Sequence, residues 1–89
     1  MTQEQKPMSI DAAARRTGLE SHTIHHCVRI SLVRDSLTEE DLVELRRVRR
    51  LTELEVNLAG VEIILRMRRR IVELQAELVH LRQQTIRRR

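Results

Sequence analysis

No phenylalanine, tyrosine or tryptophan occurs anywhere in this 89-residue chain. The absence removes the stacking platforms on which single-stranded nucleic acids are held. Any core must be built from leucine, isoleucine, valine and alanine, each larger aliphatic contributing roughly 1.5–3 kcal/mol when fully buried. A chain of this length buries only about 60–65% of its unfolded surface. Stability is therefore expected to depend partly on association. The single cysteine, Cys27, cannot close an internal disulfide and fits a reducing cytoplasm. Residues 1–7 are polar, without the apolar centre of a signal peptide. No apolar run approaches the roughly 18–20 residues of a membrane span. Glycine and proline are scarce too, at two and one, and alternating apolar patterns are missing, so no strand is expected.

What is present is charge and helical periodicity. The net charge of +4 is unevenly spread. Residues 1–44 carry five cationic side chains against eight carboxylates, a net of −3, whereas residues 45–89 carry twelve arginines against five glutamates, a net of +7. Ile64, Met67, Ile71, Leu74, Leu78 and Leu81 recur in alternating steps of three and four. That is the a/d spacing of a coiled coil, and it predicts a long helix over 57–84 that packs and oligomerises. Ile64 and Met67 are expected to face the domain, and Ile71 to Leu81 a second copy or another helix. Asn57 is placed to cap this helix.

Upstream, residues 1–8 read as a disordered tail and 9–56 as one small helical domain. Ser9 can cap a short helix to about Arg16, and Thr17-Gly18 stops it. A second helix runs from Glu20 or Ser21 to about Arg29. Two short helices joined by a glycine-containing turn form a helix-turn-helix pattern. Leu32, Val33 and Leu37 are expected to tuck inward. Thr38 opens a third helix as half of a capping box with Asp41, and Leu42, Leu45, Val48, Leu51 and Leu54 form its inner face. Residues 85–89 read as a frayed basic end.

Three stretches, SIDAAARRTGLESHTI, LTEEDLVELRRVRRLTEL and VNLAGVEIILRMRRRIVEL, resemble the MerR-type helix-turn-helix superfamily. The Asn-Leu-Ala-Gly-Val opening of the third is similar to two branches. One is the chaperone-modulator branch (CbpM- or DafA-like), whose members bind J-domain co-chaperones; the other is the heat-shock repressor branch, whose members bind DNA. DNA-binding members carry a wing hairpin after the reading helix. Here only Arg34-Asp35-Ser36 separates Val33 from Leu37. The Arg-Tyr-Tyr run usual after Thr-Leu is replaced by His25-His26-Cys27 after Thr23-Ile24. The expected fold is thus all-α, a wingless MerR-like helix-turn-helix domain followed by a long C-terminal helix with coiled-coil-like heptads.

Two functions follow from the resemblance. The first is a protein-interaction module that modulates a J-domain co-chaperone or its chaperone complex. Its interface is expected at Glu39, Glu40, Asp41 and Glu44, whose negative potential complements a basic J-domain helix. The second is a dimeric DNA-binding regulator contacting DNA through Arg15, Arg16, His22, His25 and Arg29; the net −3 of that half supplies little phosphate neutralisation. His22 and His26, four apart, have metal-like spacing, but no second ligand pair follows, and the expectation is a polar surface with Cys27 turned inward and no cofactor. Neither a nucleophile set nor a phosphate loop is present, so no enzymatic activity is expected. The arginine runs at 46–50 and 66–70 are of a kind that contacts phosphate, but they are read as solvated outer faces partly paired with Glu53, Glu62 and Glu73.

Overall fold

The computed structural model describes residues 6–88. Among these described residues four helices follow one another: α1 (Ile10–Thr17), α2 (Ser21–Arg29), α3 (Glu39–Glu53) and α4 (Leu58–Arg87). No strand occurs among the described residues.

Local chemistry sets each boundary. The Ser9 hydroxyl accepts from the Ala12 N–H at 3.1 Å and starts α1, using a side-chain oxygen to satisfy an orphan donor. Gly18 ends it in the left-handed region at φ 76°. A side chain there would also strike the Arg49 guanidinium. Arg49 occupies that space because it donates to the Thr17 carbonyl at 2.8 Å, capping α1 from α3. The Asp41 carboxylate accepts from the Thr38 N–H at 2.8 Å, which makes the capping box that opens α3. Asn57 accepts from the Gly60 N–H at 2.8 Å and opens α4.

The core is aliphatic. Ala13, Leu19, Ile24, Cys27, Leu32, Val33, Leu37, Leu42, Leu45 and Val48 are buried, joined from α4 by Val61 and Leu65 alone. Leu32, Val33 and Leu37 fill the space between α2 and α3, so the short connection is itself part of the core. Ser31 adopts φ 61° to make that turn.

Four expectations need correction. The N-terminal tail is anchored at its end: the Met8 N–H donates to the Leu37 carbonyl at 2.8 Å, and the Met8 side chain packs on the core; residues 1–5 lie outside the described part. Leu54 is not on the inner face of α3 but 74% exposed, because α3 ends at Glu53 and the chain turns away there. Met67 does not face the domain and is 60% exposed, and Ile64 only borders it, 40% exposed beside Leu51 of α3. Leu65 takes the inward position, and Met67, two residues on, is rotated by about 200° from it. Finally, α4 extends to Arg87 rather than ending at about Gln84, with Arg89 outside the described residues.

From Arg70 to Arg88 every residue of the chain is exposed. At about 1.5 Å per residue, α4 projects from the domain as a single uncovered helix.

Candidate interaction surfaces

Three surfaces carry the chemistry the sequence singles out. The first is the outer side of α2. His22, His25 and Arg29 are exposed, and their steps of three and four put them on one helical face. His22 lies 3.1 Å from the Glu20 carboxylate. Arg15 is exposed on α1. Arg16 is not directed at this face: its guanidinium donates twice to Glu39, at 2.6 and 3.1 Å, tying α1 to α3. That hydrogen bond lowers the Glu39 pKa and raises that of Arg16, with the opposite charges adding to it. His26 is half-buried and Cys27 is buried, so Cys27 stands in the core while His22 stands in solvent. Burial, with the nearby Glu44 charge, pushes the Cys27 thiol up to about 11.

The second is the acidic start of α3. Glu39 is half-exposed against Arg16 and Glu40 is open to solvent, 3.7 Å from Arg34. Asp41 is buried, its carboxylate committed to the capping box. Glu44 does not project as expected: its side chain is only 12% exposed, held by Arg69 at 2.7 Å and by Arg47 at 3.5 Å. A carboxylate this covered persists because it is paired. Only Glu39 and Glu40 therefore project from the four-residue cluster.

The third is α4 and the arginines around it. Arg49–Glu53, Arg66–Glu62 and Arg70–Glu73 pair along their own helices as the spacing predicts. Two further contacts were not legible in the sequence. Arg66 donates to the Ile30 carbonyl at 2.7 Å, and Arg69 donates to the Leu32 carbonyl. Both reach across more than thirty residues to hold the turn after α2. Arg46, Arg50 and Arg68 have no carboxylate partner among the described residues. Ile64, Met67, Ile71, Leu74, Leu78 and Leu81 are all exposed large aliphatic side chains, forming a continuous strip along α4. Among the described residues no helix is long and apolar enough to cross a membrane.

Two short helices set at a tight turn, a third helix following without a wing and a long fourth helix define an all-α helix-turn-helix protein. Residues 8–68 match the family described as MerR HTH family regulatory protein, and the chain belongs to that family. No curated protein and no solved structure matches it.

Proposed function

We propose that this chain is a regulatory protein that works by binding other proteins, as a modulator of a J-domain co-chaperone in the cytoplasm. The observation that carries the reading is the connection between α2 and α3. Residues 30–37 form a compact turn with Leu32, Val33 and Leu37 buried, in the place where a DNA-binding relative carries a wing. Loss of the wing removes backbone phosphate contacts, which supply most non-specific affinity for DNA. The Asn57-Leu58-Ala59-Gly60-Val61 opening of α4 supports the chaperone-modulator branch by its resemblance. Glu39 and Glu40 offer the exposed negative charge that steers a basic partner helix into place. Self-association through Ile71, Leu74, Leu78 and Leu81 accompanies this role. The mechanism is steric: a modulator seated on the J-domain covers the face that the chaperone needs.

The test is a binding titration of the purified protein against a purified J-domain co-chaperone, run beside a titration against promoter duplexes at two salt concentrations. Saturable binding to the J-domain with only weak, salt-sensitive DNA binding is expected. One observation favours the second reading, a dimeric DNA-binding regulator: His25, Arg29 and Arg15 are exposed and, among the described residues, make no ion pair. A sequence-specific DNA complex that survives physiological salt and is lost in His25→Ala or Arg29→Ala would establish that reading instead.

A further inference from the structure

Beside the root of α4 lies a feature that neither reading uses. α3 and α4 form an antiparallel hairpin, with Glu44 opposite Arg69 at one end. On one side of this hairpin is a shallow groove of about 270 Å³ lined by Arg47, Arg50, Leu51, Ile64, Leu65 and Arg68. Its floor is aliphatic and its rim is guanidinium. The volume falls below the roughly 300–1,000 Å³ of small-molecule sites and suits one or two aliphatic side chains.

On α3, Val43, Arg47 and Arg50 step by four and three, which sets them on one side of the helix, and Leu54 follows just past its end. Val43 and Leu54 are exposed at 43% and 74%. An apolar residue thus stands at each end of the arginine pair.

The charges select the visitor. Arg50 and Arg68 have no carboxylate partner among the described residues, and Arg47 has only Glu44 at 3.5 Å. Neighbouring carboxylates are engaged elsewhere: Glu53 with Arg49 and Glu62 with Arg66. A second copy of α4 is a poorer occupant: its acidic stretch, Glu73 and Glu77, is flanked by Arg66, Arg68, Arg69 and Arg70 on one side and by Arg82 on the other. Bringing that helix here would set arginine against arginine, and like charges in contact oppose association.

We propose that the groove between α3 and α4 docks an acidic amphipathic helix of a partner protein. Its aliphatic anchor sits on Leu51, Ile64 and Leu65, and its carboxylates meet Arg50 and Arg68. The site is distinct from the acidic start of α3 and does not depend on the J-domain reading. The distal strip from Ile71 to Leu81 remains for self-association.

The probe is a fluorescein-labelled synthetic helix with leucines at i, i+4 and i+7 and glutamates at the flanking positions, titrated against the full chain by anisotropy. Companion titrations use the same peptide with lysine in place of glutamate, and a short labelled DNA duplex. The glutamate peptide binds saturably and more weakly as salt is added, while the lysine peptide does not bind. Arg50→Glu with Arg68→Glu lowers its affinity by about tenfold while circular dichroism stays unchanged, both residues being exposed. Ile64→Ser weakens it independently of charge. Three results overturn the proposal: no saturable binding of the glutamate peptide, equal binding of the lysine peptide, or binding that both variants leave unchanged. Two others do so by naming another occupant. One is loss of a dimer in Ile64→Ser without peptide binding, which gives the groove to a second copy. The other is duplex binding that alone responds to the charge reversals.

Discussion

Arg69 of α4 lies 2.7 Å from the Glu44 carboxylate of α3 and, with the same nitrogen, donates to the Leu32 carbonyl in the turn after α2. One side chain therefore joins three segments distant in sequence. The wingless turn is held from above by Arg69 and Arg66, and from within by its buried leucine and valine residues. Arg69→Ala should cost about 1–3 kcal/mol, because it leaves Glu44 covered with only the more distant Arg47 for compensation. In a domain of this size that lowers the Tm by several degrees, at about 4–8 °C per kcal/mol. Adding Glu44→Gln should recover part of the loss. Thermal melts of both single variants and the double variant measure the coupling; purely additive losses would show that the pair does not hold α4 in place.

Much of this fold was legible beforehand, and the reason is local. Ser9, Gly18, Thr38 with Asp41, and Asn57 act on backbone groups within four residues, so their chemistry can be read from spacing alone. The rotation of α4 was not legible in the same way. A heptad of aliphatic residues states which side chains share a stripe, not which stripe meets the domain. Val61 and Leu65 won the inward positions, leaving Ile64 at the edge of the domain and the rest of the heptad strip outside. The fate of Glu44 was hidden for a similar reason. As the sixth residue of α3 it reads as an exposed carboxylate, and only the 25-residue reach to Arg69 reveals otherwise.

The uncovered strip on α4 makes a direct prediction about assembly. Ile71, Leu74 and Leu78 are each about half exposed. Apolar surface covered on association is worth roughly 25 cal/mol per Å², and a contiguous strip of this kind is unusual on a monomer. Leu74→Glu with Leu78→Glu should convert an oligomer to a monomer without unfolding the domain, since neither residue touches the core. Sedimentation velocity at tens of micromolar decides the matter, and a monomeric wild type at that concentration ends the idea.

Cys27 makes a prediction about alkaline pH. Its thiol in the fold is pushed up to about 11, whereas an unfolded thiol ionises near 8.5. Below about pH 8.5 both states hold the proton and the contribution to stability is fully present. As the pH rises from there through the folded value, the unfolded chain sheds a proton that the fold retains, so stability is lost. The difference in urea midpoint between wild type and Cys27→Ala should therefore shrink between about pH 8 and about pH 10, because other titrating groups are common to both proteins. A difference independent of pH would mean that burial does not hold the thiol neutral. Alkylation of Cys27 should likewise be slow in the native state and fast in urea.

The structure also separates the acidic residues at the start of α3 into two kinds, and the J-domain reading stands or falls on that separation. Glu40 is open to solvent and only 3.7 Å from Arg34, an exposed pair of the sort that contributes about 0–1 kcal/mol. Glu44 is covered and paired to α4. Glu40→Lys should leave the Tm nearly unchanged, whereas Glu44→Lys should lower it sharply by setting a cation against Arg69 and Arg47. If Glu39 and Glu40 steer a basic partner helix, Glu40→Lys should slow association with a purified J-domain, and the wild-type rate should fall with added salt. Stopped-flow mixing at two ionic strengths reads both effects. The dissociation rate should change less, because a rim charge acts mainly on encounter. An association rate that Glu40→Lys leaves untouched, in a variant whose helical content is intact, would remove the start of α3 from the interface. Attention would then pass to the exposed face of α2, where His22, His25 and Arg29 stand in line.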